Sequence, residues 1–568
     1  LSESCVRTRR VSFTLPLDDD HYTTEIAKFN LEVNLDPFEL HSDCFSKMDR
    51  QLRDLLNKAG DVCDGRDTKI LLTGILPTIT KNELVFDYMT PNPRYWALNE
   101  MMKKARGDDF NLNIRGINEL VIRHESVLFE ACNTSFQMHL QITPNDFIKS
   151  YNWAQAIAGP VLGISANSPL LLGRELWAET RIALFQQSID TRNSSYALKD
   201  QQARVTFGDS WAFNSVADFY KNEIARYKII FAKEIKENSL QVLERGEVPK
   251  LEAICTHNGS IYRWNRPCYG IGGGKPHLRI ENRYIPAGPT VIDEMANFAF
   301  WVGLMIGRPK EYDDIDKKMD FNDAKSNFIK AARTGKESVM TWNGHLISVR
   351  DLISNELLPI AQQGLEKVNV DPKDIQKYLS VIENRALGLT GAQWITKNYR
   401  LLKKTKKRDE ALLALTKSMY QNQFKSKPVH EWSSQDISMD AHESAHLVSH
   451  VMSTQLFTVN QNDLAELATS IMEWKDIRHL PVEDDNGNLC GLLTWSQMKK
   501  FQEDNELHSS MKVADIMTKV LFTAHPNISI KEAINQMETG KFKYLLIVQD
   551  EHLVGIVTLK DLLPLNHD

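Results

Sequence analysis

Three segments of the chain alternate between apolar residues and residues that can do chemistry. They cover residues 30–35, 136–142 and 277–284. A period of two places alternate side chains on one face of a β-strand. The chemically active positions are Asn30, Glu32 and Asn34, then Gln137, His139 and Gln141, then His277, Arg279, Glu281 and Arg283. Carboxylates with an imidazole and amides are ligands for Mg²⁺ or Mn²⁺, and arginines beside them suit a transferring phosphoryl group. The pattern therefore predicts a catalytic floor, by which we mean one face of a β-sheet that carries the catalytic and metal-binding side chains.

A second interpretation of the same alternation is an antiparallel sheet whose polar face meets water. For any single strand this interpretation is the simpler one. A solvated face usually carries Lys, Thr and Ser, whereas these faces carry Glu, His, Gln and Arg. The composition therefore favours the catalytic floor.

Two other patterns suggest chemistry that their surroundings do not support. Residues 269–275, YGIGGGK, have the glycines of a phosphate-binding loop, but a strand follows them where a Walker A loop needs a helix. We expect a flexible loop near the active site, with a lid as one possible role. Ser168, His139 and Asp146 have the residue types of a hydrolase triad, but no nucleophile elbow surrounds the serine.

Composition bounds the elements that must position these residues. A chain of 568 residues suggests roughly three to four domains. The net charge of −6 gives no reason to expect nucleic acid as a partner. The dense basic run at residues 403–408, KKTKKR, is interpreted as a solvated helix face. The seven cysteines are scattered and never form CxxC, which predicts neither disulfides nor a thiolate metal site and fits the cytoplasm.

Helices dominate the later part of the chain before residue 425. Apolar spacing of three and four residues recurs between residues 349 and 424, which predicts amphipathic helices. The apolar stretch at 295–307, MANFAFWVGLMIG, is too short to span a bilayer and predicts a buried helix. Residues 426–443 are polar, contain Pro428 and lack periodicity, which predicts a linker.

An internal repeat follows the linker. The segment from Val451 recurs from Ile516, and each copy has a Met-Ser/Thr start, a helix with an apolar stripe and two short strands. The strands HLPV and GLLT of the first copy match LLIV and GIVT of the second. The repeat resembles a tandem pair of CBS domains, a Bateman module, in which each copy buries its apolar face against the other.

The resemblance to CBS domains implies a site for AMP, ADP or ATP. In that family a Thr or Ser ending the last strand and an Asp three residues later hold the phosphate and ribose. Thr558 and Asp561 match this pattern, whereas Thr494 of the first copy is followed by Gln497 at the Asp position. We expect one competent site, in the second copy. A pair used only for dimerisation is the alternative.

The larger part of the chain, from Glu25 to about Trp394, resembles the glutamate-cysteine ligase type 2 family. Seven blocks carry the resemblance in order: EIAKFNLEVNLDP; ILPTITKNEL with TPNPRY; LFEACNTSFQMHLQI; YNWAQAIAGPVLGISANSPLLLGRELWAETRIALFQ; HNGSIYRWNRP; RIENRYIPAGPTVIDEMANFAFW; and TGAQW. The resemblance implies an α+β, glutamine-synthetase-like fold, with an antiparallel sheet curved around metal ions and helices packed behind it.

The same resemblance implies roles for individual residues. The implied metal ligands are Glu25, Glu32, Glu130, His139 and Glu281. The implied catalytic residues are Arg283, Arg181 and Glu281, and the implied substrate- or nucleotide-binding residues are Gln137, Asn167, Ser168, Arg263 and Arg266. Gln137 stands where the family usually has a histidine. The family's first strand, with its Glu-x-Glu pair, is not visible before Glu25 in a chain that begins without Met, and activity depends on that strand.

These inferences give a complete expectation for the chain. The domains are a ligase body at 1–348, its helical C-terminal part at 349–424, a linker at 425–443, and CBS copies at 444–505 and 506–568. The expected function is an ATP-dependent carboxylate-amine ligase that forms a γ-glutamyl or related amide bond through an acyl phosphate, with Mg²⁺ or Mn²⁺ and adenine-nucleotide regulation. The alternative is a catalytically inactive nucleotide-sensing scaffold. Expected partners are small carboxylates, amines and further copies of the chain in a homodimer or larger homo-oligomer, without nucleic acid or membrane.

Overall fold

The computed structural model describes residues 2–6, 19–66, 68–192, 202–230, 234–235, 237–433, 447–454, 456–503, 510–549 and 552–563. The chain forms two compact units. The first comprises Leu1–Arg400 and Leu415–Ile437, and the second comprises Leu401–Ala414 and Ser438–Asp568.

The first unit combines small, mostly antiparallel sheets with helices, which confirms the predicted α+β class. Its strands are β1 (Ser2–Val6), β2 (Tyr22–Thr24), β3 (Asn30–Val33), β4 (Lys69–Leu71), β5 (Phe110–Arg115), β6 (Glu119–His124), β7 (Met138–Ile142), β8 (Leu170–Leu171), β9 (Arg174–Glu175), β10 (Val205–Thr206), β11 (Tyr262–Arg263), β12 (Asn265–Gly272), β13 (Lys275–Asn282), β14 (Val339–Trp342) and β15 (His345–Ser348).

The helices of this unit are α1 (Cys44–Asp64), α2 (Pro93–Arg106), α3 (Phe147–Ser165), α4 (Arg181–Ser188), α5 (Val216–Arg226), α6 (Ser239–Glu244), α7 (Glu252–Asn258), α8 (Val291–Gly307), α9 (Phe321–Thr334), α10 (Val349–Leu352), α11 (Leu358–Lys367), α12 (Pro372–Leu387) and α13 (Gly391–Leu402). A π-helical turn, Ile353–Leu357, joins α10 to α11. The next helix, α14 (Arg408–Gln423), contributes residues to both units.

The three alternating segments form strands as predicted, but they belong to two sheets. β7 and β13 pair in the antiparallel sheet β12–β13–β7, whereas β3 lies in the antiparallel sheet β2–β3–β1–β4. Alternation fixes which side chains share a face of a strand, but it does not fix which strands pair. The catalytic floor predicted on a single sheet is therefore divided.

A short strand precedes Glu25 in the structure. β1 pairs antiparallel with β3 on one side and with β4 on the other. Its sequence, SESCV, contains one glutamate and no Glu-x-Glu pair. The absence of that acidic pair before Glu25, noted from the sequence, therefore stands.

Two long helices, α3 and α8, form the centre of the unit. Almost every residue of α3 is buried, and so is most of α8, which confirms the buried helix predicted at 295–307. A Cβ atom added at Gly303, Gly307 or Gly364 would lie less than 3.0 Å from backbone atoms of the facing helix. These glycines therefore let α8 and α11 pack backbone against backbone. No helix in the described ranges is long and apolar enough to cross a membrane.

The described part of the predicted linker is packed against the first unit. Val429 and Trp432 are buried, and the backbone N–H of Val429 donates to Asp293 Oδ2 at 3.0 Å. The ring of Trp432 meets that of Trp394 edge-on with centroids 5.0 Å apart. The remainder of the linker prediction, 434–443, lies outside the described residues.

The second unit contains two similar halves, as the repeat predicts. Their elements are β16 (Val459–Asn460), α15 (Ala465–Lys475), β17 (His479–Glu483), β18 (Leu489–Thr494), α16 (Trp495–Glu503), α17 (Val513–Ile516), β19 (Thr523–Ala524), α18 (Ile530–Gly540), β20 (Tyr544–Gln549), β21 (His552–Thr558) and α19 (Leu559–Leu562). Each half has a three-stranded sheet, β16–β17–β18 or β19–β20–β21.

The first residues of each half are buried in the core of the other half. Val448, Val451 and Met452 pack with α18, β20 and β21, whereas Val513 and Ile516 pack with α15, β17 and β18. This exchange explains physically why the repeat occurs as a pair, because neither half completes its own apolar core.

Candidate active site

Strand register places three predicted site residues side by side across the sheet β12–β13–β7. Arg266 is opposite Glu281, and Glu281 is opposite His139. Residues opposite each other on antiparallel strands share a face and lie about 4.5–5.5 Å apart at their Cβ atoms. We call Arg266, Glu281 and His139 the active row. The guanidinium, the carboxylate and the imidazole thus come from three adjacent strands and lie side by side on one face of the sheet.

Glu281 is the centre of the active row and is only 1% exposed. Arg266 Nε donates to its Oε2 at 2.5 Å, and Arg283 Nη1 donates to its Oε1 at 2.7 Å. Burial alone would raise the pKa of Glu281, but Arg283 and Arg266 hold it well below its usual range. The carboxylate is therefore ionised, and it fixes the direction of both guanidinium groups.

His139 lies at the accessible end of the active row. Its side chain is 38% exposed, and its Nε2 lies 3.9 Å from Glu281 Oε1. Desolvation lowers the pKa of His139 to about 4, and the nearby Arg279, Arg266 and Arg283 act in the same direction against the charge of Glu281. The imidazole is consequently neutral near pH 7 and is able to accept a proton or bind a cation.

Cys268 joins this site, although the sequence analysis did not select it. Its Sγ lies 3.5 Å from Glu281 Oε2. Within the part of the chain that the structure describes, His139, Cys268 and Glu281 are the one group whose potential metal-ligand atoms all lie within 4.8 Å of one another. Burial raises the pKa of the Cys268 thiol to about 11. The signal in the sequence was its position two residues after Arg266, on the same strand face.

A second group of acidic residues, Glu25, Glu32 and Glu130, comes from the β2–β3 hairpin and from the short 3₁₀ helix Val127–Cys132. Burial, a hydrogen bond with Glu32, and the charges of Glu32 and Glu130 together raise the pKa of Glu25 well above its usual value. Burial also raises the pKa of Glu130 to about 7, against the opposing charges of Arg283 and Arg181. We call these three glutamates the acid cluster.

The donor chemistry of the acid cluster fits a hard divalent cation. The nearby carboxylate of Glu32 disfavours the charged form of Glu25, so the pair needs a proton or a positive charge beside it. A dication satisfies the same need with oxygen ligands of the kind that Mg²⁺ and Mn²⁺ prefer. In contrast, both oxygens of Glu281 already accept from arginines. The acid cluster therefore fits such a cation better in donor type, although its three carboxylates are not among the described groups whose ligand atoms all lie within 4.8 Å of one another.

Asn167, Ser168 and Arg181 lie in a buried network below the strands. Glu179 accepts from the backbone N–H of Asn167 at 2.8 Å, from Ser168 Oγ at 2.6 Å and from Arg181 Nη1 at 2.9 Å. Arg181 also donates to Ser135 Oγ and to the carbonyl of Tyr284. The network ties the helix α4 to the end of β13. These contacts show how the fold holds the three residues, for which substrate binding (Asn167 and Ser168) and catalysis (Arg181) remain predictions.

Arg263 belongs to a separate ion pair, whereas Gln137 lies next to the active row in sequence. Arg263 is buried, pairs with Glu223 on α5 and stacks over the ring of Phe219 at 5.2 Å. Its charge is thus already neutralised within the fold. Gln137 immediately precedes β7, two residues before His139, and is half-buried. Period-two spacing places it on the same side as His139.

The second half of the repeat has a distinct polar site at the end of β21. Asp561 Oδ2 accepts from the backbone N–H of Thr558 at 2.8 Å and from its Oγ1 at 2.6 Å. In the first half, Gln497 Oε1 accepts from Thr494 Oγ1 at 3.2 Å, and its Nε2 donates to Ile516 and Thr518. The two predicted positions therefore have similar turns and different charges.

Comparison with known proteins extends these findings. Residues 2–418 match the glutamate-cysteine ligase family 2 model, and residues 448–504 and 513–567 match the CBS domain. An inosine-5′-monophosphate dehydrogenase of Methanocaldococcus jannaschii is 33% identical over 114 residues, which are 20% of this chain and 22% of the relative. The CBS domain-containing protein YhcV of Bacillus subtilis is 31% identical over 115 residues, 20% of this chain and 81% of the relative.

Solved structures match the same C-terminal region. A CBS domain pair in complex with 5′-methylthioadenosine and S-adenosyl-L-methionine is 28% identical, with a TM-score of 0.19, covering 21% of this chain and 94% of that one. The CBS domain of a CBS domain-containing membrane protein from Sphaerobacter thermophilus is 25% identical, with a TM-score of 0.20. The match covers 22% of this chain and 89% of that one. The chain thus spans less than a quarter of the dehydrogenase and most of the smaller CBS proteins. Because the family model covers residues 2–418, the chain belongs to glutamate-cysteine ligase family 2 and carries a CBS domain pair at its C-terminal end.

Proposed function

We propose that the protein is an ATP-dependent carboxylate-amine ligase that forms a γ-glutamyl or related amide bond through an acyl phosphate. The observation that supports it best is the convergence of Arg266 and Arg283 on Glu281, beside the acid cluster. Two oriented cations next to a group of carboxylates suit a polyanionic substrate that needs charge neutralisation at its reacting end. Membership of the ligase family supports the same class of reaction.

The proposed reaction has two balanced steps. An oxygen of the substrate carboxylate attacks the γ-phosphorus of ATP, and the bond between that phosphorus and the β–γ bridging oxygen breaks to release ADP. The amine nitrogen then attacks the acyl carbon, and phosphate leaves with the electrons of the C–O bond. The amine loses a proton as the amide forms. Each step transfers a group between bound substrates and requires no oxidant or reductant.

The residues of the site have separate tasks in this reaction. Arg283 and Arg266 bind and orient the transferring phosphoryl group, because Glu281 holds their guanidinium planes in place. His139, neutral near pH 7, is able to take the proton that the amine loses. Mg²⁺ or Mn²⁺ held by Glu25, Glu32 and Glu130 would supply charge neutralisation for the phosphates of ATP.

The experiment that tests the ligase proposal is ADP release by the full-length protein with a panel of amino acids and amines. Glutamate is the first acid to test. Hydroxylamine in place of the amine should trap an acyl hydroxamate, because it attacks an acyl phosphate. ADP formation without any hydroxamate would indicate plain ATP hydrolysis. The absence of ADP release with every acid and amine would favour the alternative, a catalytically inactive nucleotide-sensing scaffold.

We also propose that the CBS pair binds an adenine nucleotide and regulates the ligase. The support is the ionised acceptor, Asp561, beside Thr558 at the end of β21, together with a related CBS pair solved with adenosyl ligands. The amide of Gln497 at the matching position already donates to Ile516 and Thr518, at the start of the second half. The proposal therefore assigns one nucleotide site to each chain.

A further inference from the structure

The basic run at residues 403–408 is not simply solvated. Lys407 forms an ion pair with Asp561 through Oδ1, inside the second compact unit. Lys407 precedes the linker by almost 20 residues, so its pairing with the CBS pair was not visible in the sequence. Lys407 is solvated, as the sequence predicts, with 48% of its side chain exposed, and in addition it pairs with Asp561.

The segment that carries Lys407 is held against the second CBS half by further contacts. Thr454 Oγ1 donates to Asp409 Oδ2 at 3.1 Å, and Leu413 packs on the apolar core of that half. The neighbouring Ser453 is bridged to Ile556 of β21. These contacts fix the start of α14 beside the strand that ends at Thr558. The position of Lys407 is thus set by packing as well as by charge.

Both oxygens of Asp561 are engaged in this arrangement. Oδ2 accepts from Thr558, and Oδ1 faces the ammonium of Lys407. A ribose that binds Asp561 must therefore take the place of the ammonium group at Oδ1. The side chain of Lys407 is 48% exposed, and that of Asp561 is 15% exposed. A flexible lysine with one exposed end is able to move to a new partner at little cost.

We propose that Lys407 is a ligand-binding residue of the second CBS site and makes this site selective for phosphorylated adenine nucleotides. A ribose hydroxyl replaces the ammonium at Asp561 Oδ1, and the ammonium then pairs with the phosphate of the same ligand. A nucleotide exchanges one ion pair for another. Adenosine breaks the ion pair and offers no replacement. This inference rests on the proposed nucleotide site of the CBS pair and is independent of the ligase reaction.

The test is calorimetry on the full-length protein with AMP and adenosine, which differ by one phosphate. The Asp561→Ala variant identifies the heat that belongs to the CBS site, because the ligase site keeps its residues in that variant. We expect wild-type protein to bind AMP more tightly than adenosine. Lys407→Ala should weaken AMP binding by roughly fivefold, the size of a partly exposed ion pair, and should leave adenosine binding equal or stronger.

Lys404→Ala is the matched control, because it removes the same charge from the same run at an exposed position. It should leave both affinities unchanged, and Lys407→Arg should restore most of the preference for AMP. Equal weakening of AMP and adenosine by Lys407→Ala would show a purely structural contact and overturn the inference. Equal strengthening of AMP and adenosine binding by Lys407→Ala would show that Lys407 only competes with the ligand for Asp561 and never binds the phosphate. That result would also overturn the inference. If neither AMP nor adenosine binds, the proposed nucleotide site of the CBS pair is wrong, and the inference about Lys407 is wrong with it. The ligase proposal would not be affected, because ADP release tests it separately.

Discussion

Glu281 holds two guanidinium groups at once, that of Arg266 from the neighbouring strand and that of Arg283 just after the end of β13. Its carboxylate is almost fully buried. If Glu281 loses its charge, both arginines are left without their buried partner. The active row is therefore sensitive to the charge at residue 281.

We predict that Glu281→Gln lowers amine-dependent ADP release by at least about 100-fold, because an amide cannot orient Arg266 and Arg283 as a carboxylate does. The measurement is steady-state ADP release, with circular dichroism to verify the fold. Glu223→Gln is the matched control, because Glu223 is also a buried carboxylate paired with an arginine. That variant should lose stability and retain turnover. Full turnover in Glu281→Gln would contradict the proposed role of the active row.

Alternation along single strands selected His139 and Glu281 of the active row, because it determines which side chains share a face, whereas Arg266 was implied only by the family resemblance. The sequence could not predict which residues of other strands and helices lie next to the predicted site residues. The pairing of Arg263 with Glu223 joins residues 40 positions apart, and the burial of Asn167 and Ser168 depends on how α4 packs. Roles inferred for such residues from family resemblance stay predictions, because the structure shows their surroundings and not their substrates.

The turn between β12 and β13 fixes the register of these two strands, and so places Arg266 opposite Glu281. Its turn residues, Gly273 and Gly274, have φ of 55° and 76°, as a two-residue turn of the I′ type requires. The glycines of residues 269–275 predict a flexible loop here. The two strands instead pair up to the turn, from Asn265 opposite Asn282 to Gly272 opposite Lys275.

We predict that Gly274→Ala destabilises the protein by roughly 1–2 kcal/mol, the cost of a left-handed backbone for a residue with Cβ. No atom lies within 4 Å of the added Cβ, so steric contact does not contribute. Gly60→Ala is the control, because Gly60 lies inside α1 and is equally open. It should stabilise the protein by roughly 0.5–1 kcal/mol. Scanning calorimetry measures both, and equal effects of the two substitutions would contradict the turn assignment.

The hairpin β5–β6 buries a histidine that makes stability depend on pH. His124 is 9% exposed and lies between Phe110 and Phe129, with ring centroids 5.4 Å and 4.2 Å away. Burial lowers its pKa to about 4, from an ordinary value of 6.5. The unfolded chain therefore binds a proton between pH 6.5 and 4 that the folded chain does not. The contribution of neutral His124 to the free energy of unfolding is fully present above pH 6.5 and is lost as the pH decreases through this range.

We predict that acidification from pH 7 to 4 reduces the free energy of unfolding by up to about 3 kcal/mol through His124. His124→Phe keeps the aromatic packing and should remove this part of the acid dependence. Replacing His345, which is exposed on β15, should leave the acid dependence unchanged. Denaturant titrations at pH 7, 6, 5 and 4 measure the three proteins. An identical loss of stability in wild type and His124→Phe would exclude His124 as the cause.

Local patterns identified the elements with a regular apolar period and missed those whose structure a neighbour imposes. The strand β1 has only five residues and no apolar alternation, so no periodicity test detects it. It forms because β3 and β4 offer backbone partners on both sides. Alternation was a sufficient signal for β7 and β13, whose apolar positions are regular.

The two compact units of the whole molecule are not divided at the predicted linker alone. Residues 401–414, which the sequence analysis assigned to the helical part of the ligase body, belong to the same unit as the CBS pair. Apolar periodicity predicted helices there correctly, but periodicity does not state which core a helix packs against. The helix α14 therefore contributes residues to both units.

We predict that Asp561→Ala weakens AMP binding at the CBS site by at least tenfold. Ribose hydroxyls lose an ionised acceptor worth about 1.5–3 kcal/mol in that variant. Gln497→Ala should have little effect, because the first half lacks the ionised acceptor. Calorimetry on full-length protein gives affinity and stoichiometry together. Two equal sites for each chain would contradict the asymmetry between the halves.

Regulation of the ligase by the CBS ligand has a thermodynamic signature that does not depend on knowing the route. If AMP changes the Kd for the substrate carboxylate by some factor, that carboxylate must change the Kd for AMP by the same factor. We predict this reciprocity, with glutamate as the first carboxylate, from two calorimetric titrations in which each ligand is measured with and without the other. In Asp561→Ala both factors should become one, whereas in Gln497→Ala both should persist. Coupling that survives in Asp561→Ala would place the regulatory AMP outside the second CBS site. AMP binding without any coupling would leave the pair a nucleotide-binding unit that does not control the ligase, because a ligand shifts an equilibrium only by its differential affinity for the two states.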